Sequence, residues 1–200
     1  MNVTYDPQSM KSSAETISND ALNLNHALNA IYRSVEEMGK IWHGGNYNEL
    51  VQNFNAMRGG LDTVVRNLIN IIPNNIKDIT NNYARALNVP MIQVEIQSPQ
   101  PIMELATVGG LPTFDSTQVS QRRDEIATNF NASEDILSDI KNKCNSINWQ
   151  SSSAAETYKR NVSSLLDKTS SSFEDIRKQL TQVLNVRISD AIAAENANTQ

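Results

Sequence analysis

Residues 39–50, GKIWHGGNYNEL, decide the fold, because they end one long apolar-periodic segment and begin another. A related stretch, INWQSSSAAE, occupies residues 147–156. In each stretch a tryptophan is followed four residues later by a helix-capping side chain and seven residues later by glutamate. These residues are Trp42, Asn46 and Glu49 in the first stretch and Trp149, Ser153 and Glu156 in the second. The repetition predicts that one helical hairpin is written twice in the chain.

The segment before Trp42 carries a regular apolar seam. Its members are Met10, Ala14, Ile17, Ala21, Leu24, Leu28, Ile31, Val35 and Met38. Spacings of four and three alternate throughout, which is typical of a helix that packs along its length against another helix. Asp6 followed by Pro7 predicts the start of this helix, and Gly39 weakens it just before the turn.

The segment after Trp42 has similar spacing. Its apolar members are Tyr47, Val51, Phe54, Leu61, Val65, Leu68, Ile72, Ile76, Ile79 and Tyr83. Pro73 interrupts the pattern because it has no amide hydrogen to donate to the preceding turn. We therefore expect a bend at Pro73, with helix resuming from about Asn74.

Residues 88–114 break the helical pattern with four prolines and the pair Gly109 and Gly110. Ile92, Val94 and Ile96 alternate with other residues, as in a short strand. The composition predicts an extended linker, long for a compact domain, that carries the chain from one hairpin to the next.

The second half of the chain repeats the seam. After a cap at Asp115 or Ser116, it runs through Val119, Ile126, Phe130, Leu137, Ile140, Cys144 and Ile147, and these match seven seam residues of the first segment at a constant separation. The fourth segment carries Tyr158, Val162, Leu165, Thr169, Phe173, Ile176, Leu180 and Val183, and we expect its small, polar tail from Ala191 to fray. The predicted fold is all-α: two antiparallel helical hairpins, residues 1–87 and 115–200, packed as an elongated four-helix bundle.

This pattern resembles the WXG (ESAT-like) proteins of type VII secretion systems. In that family a helical hairpin carries Trp-X-Gly in its turn, and two hairpins usually pair antiparallel into a four-helix bundle. Trp42, His43 and Gly44 match the motif, whereas Trp149 is followed by glutamine and serine. The resemblance implies a single-chain version of the family's dimer that acts without catalysis as a secretion substrate, adaptor or chaperone. Its implied partners are proteins, such as a secretion ATPase or a co-secreted effector.

Because no basic start or apolar run follows Met1, the sequence predicts a chain that is either cytosolic or exported from the cytoplasm without a cleaved signal peptide. The family's tyrosine-based export signal places an acidic residue four positions after a tyrosine that follows the second helix. Tyr83 and Tyr158 lack that acid, and only Tyr32 with Glu36 has the spacing, before the turn.

The remaining chemistry-bearing residues predict no catalytic, cofactor or metal site. They are His26, His43, Cys144 and the acidic pairs Glu36, Glu37 and Asp124, Glu125. The two histidines lack metal-ligand spacing, Cys144 falls on the apolar seam, and adjacent acids on a helix diverge toward solvent. The net charge of −5, spread evenly, argues against nucleic acid as a partner.

Two interpretations of the tryptophans stay open: they plug the ends of the bundle, or they form a surface that a secretion ATPase or partner recognises. Two other functions stay open as well. One is a membrane-active helical protein, suggested by the apolar cluster Leu68, Ile69, Ile71, Ile72 and Ile76, although that cluster is too short to span a bilayer. The other is a cytosolic helical scaffold unrelated to secretion.

Overall fold

The computed structural model describes residues 6–148 and 153–198, and these residues are mostly helical. The helices are α1 (Pro7–Met38), α2 (Gly45–Arg66), α3 (Ile72–Leu87), α4 (Ser116–Ser146) and α5 (Ser153–Asn198). Two short strands, β1 (Trp42–His43) and β2 (Thr113–Phe114), pair antiparallel. The prediction of an all-α protein is confirmed.

Side-chain caps begin two of the helices where the sequence predicted them. Asp6 and Asp115 each accept a main-chain N–H from the first turn of α1 and α4, both at 3.0 Å. Each bond satisfies a donor that a helix end otherwise leaves unpaired. The predicted cap at Asn46 is wrong, because α2 begins one residue earlier, at Gly45.

The predicted seams are buried. In α1 the seam is buried from Ala14 to Met38, and Met10 is half-buried. The matching seam from Val119 to Ile147 is buried throughout. The heptad pattern therefore identified the core faces of α1 and α4.

In α5 the predicted seam is displaced by one residue at two places. Leu166 is buried where Leu165 was predicted, and Leu184 is buried in place of Val183. The two predicted residues are half-buried. A straight α-helix has about 3.6 residues per turn, so a strict seven-residue repeat drifts around its surface. Beyond Leu180 the buried residues Leu184 and Ile188 are four residues apart, as this longer period allows, whereas the seam between Thr169 and Leu180 keeps its predicted positions.

Pro73 is accommodated by a π-helical segment, Asn67–Ile71, placed before it. The α-helix resumes at Ile72, earlier than the predicted Asn74. Because Pro73 has no amide hydrogen to give to the carbonyl of Ile69, four residues before it, that carbonyl needs another donor. The hydroxyl of Ser18 donates to it at 3.0 Å, so a side chain of α1 compensates for the proline.

The linker forms no strand at Ile92, Val94 and Ile96, where the alternation predicted one. Residues 89–112, called the strap below, have no regular secondary structure, and the short strand β2 follows them. The strap's main-chain groups bond to side chains of α1, α2 and α3, which takes the place of strand pairing. The C-terminal tail, which was expected to fray, is helical as far as Asn198.

The contacts divide the chain into two compact units that both draw on the predicted hairpins and the linker. Unit 1 consists of residues 1–25, 63–100 and 134–172, and unit 2 of residues 26–62, 101–133 and 173–200. The division into segments 1–87, 88–114 and 115–200, and the four-helix bundle, stay predictions.

Each unit has polar contacts between its helices. In unit 1 the ammonium of Lys143 on α4 pairs with Asp20 on α1, and Asn67 donates to the hydroxyl of Thr169 on α5 at 3.1 Å. In unit 2, Arg187 on α5 lies 3.0 Å from the carboxylate of Glu49 on α2. These contacts flank the buried seams of each unit.

Candidate functional site

Trp42 lies in the turn between α1 and α2, as the sequence predicted. It is 2 % exposed and belongs to β1, where it is paired with Phe114. The next pair in the register is His43 with Thr113, and the N–H of Asp115 donates to the carbonyl of Ile41 at 3.1 Å. The turn is thus joined to the residues that lead into α4, all within unit 2.

The Trp42 indole is enclosed by two aromatic rings. Phe114 meets it edge-on, with ring centroids 5.5 Å apart and the planes at 72°. Tyr47, on the first turn of α2, lies 5.8 Å from it at 60°. An edge-to-face pair such as Trp42 with Phe114 contributes about 0.5–1.5 kcal/mol beyond the area it buries. Trp42 therefore closes the core of unit 2 beside the turn.

Gly44 is required for its backbone conformation. Its φ is +132°, a value that residues with a side chain rarely adopt, and an added Cβ would have no atom within 4 Å. The strain of a substitution would come from φ and not from crowding. The glycine of the Trp-His-Gly motif thus turns the chain between the buried indole and the start of α2.

A second glycine in this region, Gly39, is required for space. A Cβ built on it would lie 2.5 Å from the hydroxyl oxygen and 2.8 Å from the ζ carbon of Tyr47. The Tyr47 hydroxyl donates to the carbonyl of Val35 at 3.2 Å, and burial raises the pKa of Tyr47 to about 12. The close approach of Gly39 lets the tyrosine ring pack at the end of α1.

An open cleft lies beside the buried Trp42 in unit 2. Its walls include Trp42, His43, Gly44, Pro112, Thr113 and Glu195. The imidazole of His43 is half-buried there, and the end of α5 contributes Ala191 and Ala194. The turn motif therefore has an accessible face as well as a buried one. Trp149, with Gln150 and Ser151, lies outside the described residues.

The other predicted features have structural explanations. Tyr32 is fully buried and donates its hydroxyl to the carbonyl of Phe54 at 2.6 Å, so its spacing to Glu36 reflects core packing. Cys144 is buried on the seam, and desolvation raises the pKa of its thiol to about 12, which opposes reactivity. His26 is exposed. Within residues 6–148 and 153–198, no group of three or more histidine, cysteine or acidic side chains is placed to hold a metal ion.

The acidic pairs lie largely on solvated faces. Glu36, Asp124 and Glu125 are exposed, and Glu37 is bonded to Lys40. The bond from Lys40 holds the pKa of Glu37 below its ordinary value.

The apolar cluster that suggested membrane activity faces the interior of unit 1. Leu68, Ile69, Ile72 and Ile76 are buried, and Ile71 is 40 % exposed. No helix in the described part of the chain combines the length and the apolar character that crossing a bilayer requires.

Sequence reasoning missed a set of side chains that bind the main chain of the strap. In unit 2, the side-chain amide of Asn55 accepts the N–H of Leu105 at 2.9 Å and donates to its carbonyl at 2.8 Å. Asn48 forms the same pair of hydrogen bonds with Val108, at 2.9 and 3.0 Å. A primary amide matches the donor and acceptor of one residue, so each asparagine holds the strap as a neighbouring strand would.

At Ile102 a charged pair replaces the asparagine. Asp62 accepts the N–H of Ile102 at 2.8 Å, and Nε of Arg58 donates to the Ile102 carbonyl at 3.1 Å. Arg58 also pairs with Glu104 of the strap at 3.2 Å. We call Asn48, Asn55, Arg58 and Asp62 the α2 ladder. From α1, Asn29 adds a bond from the N–H of Met103 at 3.0 Å.

The spacing of the α2 ladder along its helix matches the spacing of the strap residues that it binds. Asn48, Asn55 and Asp62 are seven residues apart, which is about 10.5 Å along an α-helix. Their partners in the strap, residues 102, 105 and 108, are three residues apart, and three residues of extended chain span about 10 Å. One heptad of helix thus corresponds to three residues of extended chain. The seven-residue spacing of Asn and Asp beside the apolar seam is the one sequence signal of this strap-binding face, and it is interpretable only together with the three-residue register of the strap.

Unit 1 holds its part of the strap in the same manner. Asn25 forms a pair of hydrogen bonds with the main chain of Gln100, at 2.7 and 2.9 Å. Asn81 forms such a pair with the main chain of Ile92, at 2.8 and 3.1 Å. The N–H of Gln97 donates to the hydroxyl of Ser18 at 2.9 Å. Binding of the strap through its main chain is therefore a property of both units.

Comparison of the chain with known protein families, with curated proteins and with solved structures finds no match.

Proposed function

We propose that the chain is a tandem WXG/ESAT-like protein of a type VII secretion system, acting without catalysis as a substrate, adaptor or chaperone through helix-face contacts. One observation carries the proposal: the Trp-His-Gly turn between α1 and α2 has a structural use for both of the motif's defining residues. Trp42 is buried between two aromatic rings, and Gly44 has a φ of +132°.

The turn also offers a surface for a protein partner. The cleft beside Trp42 is lined by His43, Gly44 and Glu195 and is open to solvent. A secretion ATPase or a co-secreted effector that docks here would contact the edge of the motif while the indole stays in the core. In this proposal Trp42 serves both as a plug and as part of a recognition surface.

The second half of the chain supplies the partner that other members of the family obtain from a second protein. Within this half, residues 119–147 carry a seam that matches the first, and its members are buried. Linking two hairpins in one chain makes their association intramolecular, with an effective concentration of order mM. The protein then acts as a single-chain pseudo-dimer in an elongated four-helix bundle.

The proposal is tested by following the intact chain in culture medium. The host with its membrane-bound secretion ATPase is compared with a strain that lacks the ATPase, and the cytoplasmic amount is measured in both. Loss of the extracellular chain with retention of the cytoplasmic pool is expected. An unchanged extracellular amount would contradict a role as substrate, and failure of the purified chain to bind the ATPase or any co-exported protein would contradict a role as adaptor or chaperone.

A further inference from the structure

The α2 ladder forms hydrogen bonds with main-chain atoms, which are present in every peptide. It bonds with the N–H and C=O of Ile102, Leu105 and Val108, and their side chains take no part in those bonds. Any residue except proline presents the same two groups. The hydrogen bonds therefore select an extended conformation with a three-residue register, and they are indifferent to sequence.

Selectivity in the same groove comes from apolar anchors. Ile102 and Leu105 are buried, and Val108 is half-buried. The residues between them are largely exposed: Glu104, Ala106 and Thr107 face solvent, and Met103 is half-buried. The groove thus favours a peptide with an apolar residue at every third position and accepts polar residues between.

We propose that the α2 ladder and Asn29 form a peptide-binding groove that takes an extended, unfolded segment of a partner protein with this apolar spacing. The strap residues 102–108 occupy the groove in cis and exchange with that segment. These strap residues are themselves an extended peptide with an apolar residue at every third position. Beyond Val108 the strap passes through Gly109 and Gly110, and Gly110 has a φ of +109°. Binding of this kind needs no secretion machinery, so its test in purified protein is separate from the export assay.

The cis segment sets the apparent affinity for any competitor. Because it is tethered at both ends, it is present at an effective concentration of order mM, and a free peptide must displace it. Weakening the strap without changing the groove raises the apparent affinity, since the competent state is then more populated. Loss of one hydrogen bond, together with the contacts that it aligns, is expected to change the affinity about tenfold, which corresponds to about 1.4 kcal/mol.

The experiment uses the full chain and a fluorescein-labelled peptide, PIMELATVG, which reproduces residues 101–109. Leu105→Pro removes the N–H that donates to Asn55 and keeps an apolar side chain. Ala106→Pro is the matched control, because Ala106 is exposed and forms no main-chain bond with the α2 ladder among the described residues. By fluorescence polarisation, Leu105→Pro should bind the peptide about tenfold more tightly than the wild type and Ala106→Pro.

Two further variants distinguish binding through the peptide main chain from non-specific binding. In the Leu105→Pro background, Asn55→Ala should abolish the gain, whereas Asn53→Ala should keep it, because Asn53 donates to Glu49 within α2. A peptide N-methylated at its leucine should bind about tenfold more weakly than the parent peptide. Equal binding of the methylated peptide, or equal binding by Asn55→Ala, would overturn the proposal.

The wild-type protein provides a measurement that does not depend on the folding of a variant. Peptide at mM concentration should speed hydrogen exchange at the amides of Leu105 and Val108, because they leave Asn55 and Asn48 when the strap is displaced. No acceleration there, together with no binding to Leu105→Pro, would overturn the proposal. Dimers of Leu105→Pro that form by exchange of straps would overturn it too, by making a second copy the occupant.

Discussion

The side-chain amide of Asn55 forms two hydrogen bonds with one residue, Leu105, accepting its N–H at 2.9 Å and donating to its carbonyl at 2.8 Å. The two residues are 50 positions apart in sequence, so the pair is a long-range contact that fixes the strap to α2. A segment without regular secondary structure thereby obtains the main-chain pairing that a sheet would otherwise supply.

Replacement of Asn55 by alanine should lower the free energy of unfolding by about 1–3 kcal/mol, because both main-chain partners lose their bonds in a partly buried site. Urea unfolding followed by circular dichroism measures the change. Asn53→Ala is the control on the same helix. It removes only a bond within α2, of 2.7 Å to Glu49, and should stay within about 0.5 kcal/mol of the wild type. Equal losses in the two variants would show that the bonds between Asn55 and the strap contribute nothing to stability.

Gly44→Ala should destabilise the protein by about 1–3 kcal/mol, because alanine is strained at a φ of +132°. Gly45→Ala is the matched control at the next position, where an added Cβ is also free of contacts and the backbone is helical. It should be neutral or slightly stabilising. Thermal unfolding of both variants is the measurement, and a neutral Gly44→Ala would remove the structural reason for the glycine in the motif.

Gly39→Ala should be destabilising through its contact with Tyr47, since the new Cβ would lie 2.5 Å from the tyrosine hydroxyl oxygen. Overpacking of this kind costs about 1–3 kcal/mol. In a double-mutant cycle, Tyr47→Leu should remove most of the added cost, because leucine does not reach the same place. Additive losses in the cycle would place the origin of the strain elsewhere than at Tyr47.

The helical parts of the fold could be predicted because their signals are local. Apolar spacing located the buried faces of α1 and α4, and Asp6 and Asp115 marked two helix starts. The displaced seam of α5 shows the limit of that approach, since Leu165 and Leu166 are both leucines and the spacing alone does not decide which of them is buried.

The turn and the strap show two degrees of predictability. Trp42 and Gly44 could be identified from their motif, yet the pairing of Trp42 with Phe114 joins residues far apart in sequence. The α2 ladder could not be identified by residue type alone, because an asparagine that binds a distant main chain looks in sequence like one that faces solvent. Its heptad spacing gains meaning only when the three-residue register of the strap is known.

The burial of Cys144 predicts a dependence of stability on alkaline pH. Desolvation raises the pKa of its thiol from an ordinary value near 9 to about 12 in the folded protein. The unfolded chain therefore loses this proton first as the pH rises. The contribution of Cys144 to stability is complete below about pH 8.5 and is lost progressively up to about pH 12.

Between pH 9 and 10.5, the free energy of unfolding of the wild type should fall more steeply than that of Cys144→Ala. The difference in slope should approach about 1.4 kcal/mol per pH unit. Urea unfolding at a series of pH values measures both slopes. The comparison cancels the titration of Tyr32 and Tyr47, whose pKa values burial also raises and which both proteins share. Parallel slopes, or rapid modification of the native thiol by a disulfide reagent at pH 8, would show that Cys144 is accessible to solvent and would contradict its place on the seam.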